Sequence, residues 1–272
     1  MKFKKTALLI LALLMILGLT AGCRNGGGET TVIRIAATPT PHAVILEVVA
    51  EILAEQDIRL EIIQFTDFVQ PNLVLQDGEV DANYFQHILY LEGFNVDWGT
   101  TIVPVASIHY EPFGIYRGRT ASLEELTSGS QIAIPNDPTN SARALNLLEY
   151  LGLITLREGA GVTASSIDIV ENPLGLNIIE MEAAQLPRVL QDVDMAVING
   201  NFALGAGLSV HYDAVATEPQ TDLVLSSYVN VIAVVEGNEN NPAILALIEA
   251  IQSPRVRDFI NDTFEGAVIP LF

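Results

Sequence analysis

Residues 31–65 read TVIRIAATPTPHAVILEVVAEILAEQDIRLEIIQF, and the order of patterns inside them decides the fold class. Thr31 to Ala37 is rich in β-branched residues and reads as a strand. Beyond Pro39 and Pro41, Ala43 to Glu55 sets Val44, Val48 and Ile52, with Ile45 and Val49, on one face at helical spacing. Ile58 to Phe65 then returns to strand character. Strand, helix and strand in immediate succession predict an α/β fold with largely parallel sheets.

The alternation continues outward. Pro71 to Gln76 predicts a short helix with its proline in the first turn. Val80 to Asn83 predicts a strand, and Tyr84 to Glu92 a helix ended by Gly93. Further strands are expected at Thr101 to Ile108, Gln131 to Pro135, Ile167 to Glu171, Asn177 to Glu180, Met195 to Asn199 and Tyr228 to Glu236. Helices are expected at Ser141 to Leu151, at Ala184 to Asp192, and from Asn241 and Pro254. No Pro/Gly/Ser-rich linker or internal repeat divides residues 32 to 272. The chain is therefore one domain or two lobes joined by extended segments, with Val103 to Tyr116 and Tyr228 to Val235 as the candidate paired crossovers.

Residues 1 to 22 have the layout of a secretory signal: Lys2, Lys4 and Lys5, then an apolar run from Ala7 to Leu19. Leu19-Thr20-Ala21-Gly22-Cys23 resembles the bacterial lipobox, which implies acylation of Cys23 and a lipid anchor of two chains. Residues 23–31, with three consecutive glycines, read as a flexible tether. The expected location is outside the cytoplasm, on the membrane surface.

The 272 residues carry 33 acids and 13 bases. With the three signal-segment lysines removed, ten bases remain, all arginine, against the same 33 acids, a charge of −23. Such a chain has no basic face for nucleic acid. It has no lysine for a P-loop or a pyridoxal Schiff base. Its single cysteine, committed to lipid, leaves no disulfide or thiol nucleophile. His42, His87, His109 and His211 lie in separate segments without metal-ligand spacing, although an exported metal-binding protein could collect three with a carboxylate. Neither G-x-S-x-G nor H-E-x-x-H occurs. The expectation is a binding protein without enzymatic activity, cofactor or metal.

Four stretches carry binding chemistry. Asp81-Ala82-Asn83-Tyr84-Phe85-Gln86-His87 gathers polar and aromatic groups at a strand end, where open α/β sheets take ligands. Tyr84, Phe85 and His87 offer flat faces to a soft apolar group such as a thioether, or simply pack a helix start. Pro135-Asn136-Asp137-Pro138-Thr139-Asn140 reads as a strand-to-helix turn with Thr139 or Asn140 as cap. Arg143 in the following first turn opposes the helix dipole and calls for an anion. That anion is either a ligand carboxylate held bidentately or one of the chain's many acids. Asn199 and Asn230 sit in apolar strand-like runs where burial demands a partner, a ligand ammonium or a structural cap.

Together, the lipobox, residues 81–87, residues 130–140 with Arg143, Glu171-Asn172-Pro173, Gln185-Leu186-Pro187-Arg188, Ala196-Val197-Ile198-Asn199 and Tyr228-Val229-Asn230 resemble the NLPA lipoproteins, the methionine-binding components of ABC importers. The resemblance runs in order over residues 31 to 272. It implies a two-lobed periplasmic-binding-protein fold, type II-like, with the ligand in the inter-lobe cleft. Lobe 1 would comprise residues 32–113 plus 230–272, and lobe 2 residues 114–229. Arg143 would clamp the ligand carboxylate with Asn140 beside it, and Asn199 and Asn230 would contact the amino and carboxylate ends. Phe85, His87 and Tyr110 would line the thioether pocket. Phe68 stands where the family commonly has tyrosine, and Ile108 to Phe113 also departs from its pattern. Both departures bear on the ligand side chain. The implied partners are methionine or a similar small zwitterion, and an ABC permease with its ATPase. Another amino acid, a methionine-containing dipeptide, or a surface lipoprotein without a transport role are the alternatives.

Overall fold

The computed structural model describes residues 30–272, and the expected signal segment and Cys23 lie outside them. Thirteen strands and eight α-helices follow one another among the described residues. The first part runs β1 (Thr31–Ala37), a turn at Pro39–Ala43, α1 (Val44–Ala54), β2 (Ile58–Gln64), α2 (Gln70–Gln76), β3 (Ala82–His87), α3 (Ile88–Trp98) and β4 (Ile102–Tyr110). The middle comprises β5 (Gly114–Arg117), β6 (Gln131–Pro135), α4 (Pro138–Tyr150), β7 (Thr155–Leu156), β8 (Ile169–Glu171), β9 (Asn177–Met181), β10 (Met195–Ile198), α5 (Gly200–Gly205) and β11 (Ala214–Thr217). The chain ends through α6 (Asp222–Ser227), β12 (Val229–Val235), α7 (Pro242–Ile251), α8 (Pro254–Phe264) and β13 (Ile269–Pro270).

Two large sheets result, the two-lobed arrangement expected. The first has the order β13-β4-β12-β3-β1-β2, and the second the order β11-β5-β10-β6-β9. Both are mixed rather than largely parallel. In the first, β1 and β3 are parallel while β12 runs antiparallel to β3 and β4. In the second, β6 is parallel to β9 and β10, and β5 is antiparallel to β10 and β11. The two expected crossovers pair along their length, from Val229 opposite Tyr110 to Val235 opposite Ile102.

Each sheet is covered on both faces because its strands are apolar on both sides of the pleat. In β1, Ile33, Ile35 and Ala37 face a core built with Ile45, Leu46 and Val49 of α1 and with Leu247 and Ile260 of α7 and α8. Ala36 faces the opposite core with Leu75 of α2 and Leu91 of α3. In the second sheet Ile132, Ile134, Met195 and Val197 pack on Leu145 and Leu148 of α4, while Ala133, Ala196 and Ile198 face Leu186 and Ala203.

Three local expectations are corrected. The stretch Tyr84 to His87 extends β3 instead of opening a helix, since all six residues of that strand are buried and hydrogen-bonded between neighbours. Gly93 does not end α3; Gly99, in the left-handed region at φ 66°, does. Gly93 instead admits Thr139 of α4, whose Cγ2 lies 3.2 Å from where a Cβ would stand. The segment Ala183–Val189 winds as a 3-10 helix, with Pro187 inside it. Among the described residues no helix is long and apolar enough to cross a membrane.

Candidate functional site

A small, partly open cavity lies at the C-terminal ends of β3, β6 and β10 and beside β12. Phe68, Phe85, Gln86, His87 and Tyr90 line one side; Asn140, Arg143, Asn199, Gly200, Asn201, Glu111 and Asn230 complete it. Strand ends are where an α/β sheet leaves backbone groups and turn residues free to face a ligand. Seven of the eight sequence-predicted ligand residues thus meet in one place: Phe68, Phe85, His87, Asn140, Arg143, Asn199 and Asn230. Tyr110, the eighth, is not among the lining residues. It is fully buried, and its hydroxyl donates to Glu218 Oε1 at 2.6 Å.

Asp137 caps α4, its Oδ1 accepting from the Asn140 amide at 2.9 Å, in place of the expected Thr139 or Asn140. The same carboxylate accepts from Asn140 Nδ2 at 2.9 and 3.1 Å. Asn140 Oδ1 is thereby aimed at the cavity side, where it accepts from Asn199 Nδ2 at 2.8 Å and from His87 Nε2 at 3.2 Å. His87 caps α3, its Nδ1 accepting from the Tyr90 amide at 3.1 Å, so its proton must sit on Nε2. Burial and the nearby Arg143 charge lower the His87 pKa to about 3. His87 is therefore a neutral donor held at both nitrogens. Asn199 occupies the cap position of α5, but its side chain caps nothing. With Nδ2 spent on Asn140, its Oδ1 is left buried and without a partner among the described residues. A buried acceptor in this state costs free energy until something donates to it.

Of the two readings of its sequence position, the structure shows the internal acid at Arg143. Its Nε donates to Glu218 Oε2 at 2.9 Å, and its Nη2 donates to Glu218 Oε1 and to the Glu111 carbonyl at 3.1 Å. The guanidinium lies over the rings of Tyr228 at 4.0 Å and Phe113 at 4.6 Å. An internal acid thus takes the bidentate edge that sequence reasoning gave to a ligand. Only Nη1 is left without a hydrogen bond among the described residues. Glu218 was absent from the sequence reading, because nothing local marks a residue whose partner is 75 positions away.

The apolar side is an aromatic cluster. Phe68 packs 6.0 Å from Phe85, 5.7 Å from Tyr90 and 4.8 Å from Phe202 of α5, centroid to centroid. The Tyr90 hydroxyl donates to the Phe68 carbonyl at 2.9 Å, so the ring that Phe68 presents without a hydroxyl is held through its backbone. Tyr90 was missed by sequence reasoning, although it stands three residues beyond His87. Beneath the cavity floor, Asn72, Asn83 and Gln86 satisfy one another at 2.7 to 3.1 Å, which turns Gln86 into structural support.

Two of the histidines scattered in sequence, His42 and His109, are neighbours in space. His42 and His109 bring their Nε2 atoms to 3.5 and 2.8 Å from Glu111 Oε1. These three groups place metal-ligand atoms within 4.8 Å of one another. Thr38 Oγ1 meets His42 Nδ1 at 2.7 Å, the Tyr84 hydroxyl meets His109 Nδ1, and Asn230 Oδ1 meets His42 Nε2 at 3.1 Å. Every ring nitrogen therefore has a partner, and the arrangement is a closed hydrogen-bond network. Burial lowers the pKa of His42 to about 4, against the pull of Glu111, and that of His109 to about 3. Burial pushes the Glu111 carboxyl up, opposed by His42, Arg143 and the Asn201 amide.

The chain is similar to known proteins over most of its length. The NlpA lipoprotein model matches residues 33–272. A D-methionine-binding lipoprotein, MetQ, from Salmonella typhimurium is 38% identical over 273 residues, covering 99% of each chain. The structure of a lipoprotein from Ruminococcus gnavus is 50% identical with a TM-score of 0.88, over 89% of this chain and 100% of that one. A nutrient binding protein from Burkholderia cenocepacia, solved with methionine bound, is 41% identical with a TM-score of 0.84, over 88% of this chain and 100% of its own.

Proposed function

The chain belongs to the NlpA lipoprotein family, and on that premise we propose that it captures methionine, or a close analogue, and delivers it to an ABC transporter permease. The observation that carries this reading is the pairing of two unspent groups in one cavity. Among the described residues, Asn199 Oδ1 is a buried acceptor without a donor, and Arg143 Nη1 is a cationic donor without an acceptor. A zwitterionic amino acid supplies the missing donor and acceptor together, its ammonium to Asn199 and its carboxylate to Arg143. The cluster of Phe68, Phe85 and Tyr90 offers polarizable faces of the kind a thioether packs against.

The rest of the reading follows. Lobe 1 is assigned residues 32–113 plus 230–272 and lobe 2 residues 114–229, so the cavity closes where Phe68 meets Phe202 and α3 meets Thr139. Ligand contacts completed only when both sides meet would drive that closure. Cys23 carries the lipid that anchors the exported protein to the cell membrane, at the outer face of the cytoplasmic membrane or on the periplasmic side, and no chemical step is involved. Relatives named for D-methionine and a relative holding methionine support the ligand class. Phe68 and Glu111 in the cavity wall favour a second ligand reading, another amino acid or a methionine-containing dipeptide.

The test is thermal unfolding of the protein, refolded free of ligand, against L-methionine, D-methionine, methionine dipeptides and the other amino acids. Saturation at about 1,000 times Kd should add roughly 4 kcal/mol. A shift confined to methionine forms supports the proposal. A shift for some other ligand moves the substrate, and no shift for any removes the transport role.

A further inference from the structure

The closed network behind the cavity has a direction, and it ends on a ligand-facing side chain. Asn230 lies in β12 between His87 of β3 and His109 of β4. The register slips beside it, between Asn230 and Val231 against β4, and such a bulge re-aims a side chain. Its Oδ1 is 3.1 Å from His42 Nε2, on the turn Pro39–Ala43. Which way an amide points is set by the partner's proton, and that proton is set by what else the imidazole faces. His42 Nε2 also faces Glu111 Oε1 at 3.5 Å, an acceptor. A lone pair on Nε2 would oppose the Glu111 oxygen, whereas an N–H faces it favourably and donates to Asn230 Oδ1. Thr38 Oγ1, at 2.7 Å from Nδ1, can donate as readily as accept, so it accommodates this tautomer. Glu111 is itself held by His109, whose other nitrogen is held by the Tyr84 hydroxyl.

We propose that His42 is a positioning residue for ligand binding: with its proton held on Nε2 by Glu111, it turns the Asn230 oxygen away from the cavity and presents the Asn230 NH2 group inward, as a donor to the ligand carboxylate. Asn230 and Asn199 are then the same residue type set in opposite senses, one a donor and the other an acceptor. The carboxylate receives Asn230 as a second donor beside Arg143 Nη1, which offsets the loss of the guanidinium edge taken by Glu218. This inference rests on the amino-acid reading above for its ligand, but the proton position on His42 does not.

Two measurements test it. Nitrogen-15 NMR of the purified protein reads which ring nitrogen of His42 carries the proton; the expected result is Nε2–H, with the Nδ1–H form gaining population in Glu111→Gln. Nδ1–H in the wild type overturns the proposal, whether or not any variant folds. Titrations with L-methionine and with L-methioninol, whose carboxylate is replaced by an alcohol, then compare wild type, His42→Leu and His42→Gln. His42→Leu should weaken methionine at least about tenfold while changing methioninol little, and His42→Gln, which restores an N–H near Nε2, should recover most of the loss. Equal weakening of both ligands would mean that His42 only supports the fold. If the wild type binds neither ligand, the amino-acid reading fails, and the ring-nitrogen measurement alone decides the direction of Asn230.

Discussion

Arg143 Nε donates to Glu218 Oε2 at 2.9 Å, and the two side chains are about equally buried, 5% and 6% exposed. The only arginine among the described residues of the cavity wall therefore arrives already neutralised. Burial alone would pull the Arg143 pKa down, but the Glu218 charge reverses this and the guanidinium stays ionised. Removing one member of a buried pair leaves the other without compensation. Glu218→Ala should lower unfolding stability by about 3–5 kcal/mol in urea titration, with Glu218→Gln less affected. A loss below about 1 kcal/mol would mean that the pair is solvated in solution.

Arg143→Ala should weaken methionine binding by about 2–5 kcal/mol in calorimetric titration, because the ligand carboxylate would be desolvated without its cation. Unchanged affinity would remove Arg143 from the site.

Gly200 opens α5 against Glu111, and a Cβ there would stand 2.7 Å from Glu111 Cβ and 2.8 Å from its Oε2. Gly200→Ala should cost about 1–3 kcal/mol of stability through overpacking. It should also weaken ligand binding by shifting Glu111. Wild-type stability and affinity in this variant would show that Glu111 relaxes freely.

The neutral histidines set the acid side of the stability profile. His87 titrates near 3 in the folded protein, chiefly through burial, and its ordinary value is 6.5. The unfolded chain therefore takes up a proton first as pH falls. The His87 contribution is complete above about pH 6.5 and is lost progressively below it. His42 and His109 act in the same sense, whereas the raised carboxyls of Glu111 and Asp137 act oppositely. His87→Gln isolates one group: its unfolding free energy should fall less steeply between pH 6 and 5, by roughly 1 kcal/mol per pH unit. Parallel profiles for wild type and variant would mean that His87 is protonated in the folded state.

Elements defined by local periodicity were legible in the sequence: β1, α1 and β2 start and stop within a residue or so of their expected limits. The two crossovers were legible because both are long apolar runs, and they pair as β4 and β12. Legibility failed where distant partners override local pattern. Asn83 and Gln86 look like the edges of a helix start, yet Asn72 satisfies both and β3 runs through them. The cap of α4 fell on Asp137 because its carboxylate can also orient Asn140. At the site, residue types named the chemistry, but Glu218, His42 and Glu111 act on Arg143 and Asn230 across the fold, and no spacing rule connects them.

The central claim is that this cavity takes a zwitterion by its two charged ends. The most direct measurement is calorimetric titration of ligand-free protein with L-methionine, with its desamino analogue lacking the ammonium, and with L-methioninol lacking the carboxylate, in wild type and Asn199→Ala. The predicted result is one saturable site for methionine, at least about tenfold weaker binding of each analogue, and a desamino penalty that disappears in Asn199→Ala. Comparable affinity for all three ligands in the wild type, or no methionine binding at all, would contradict it.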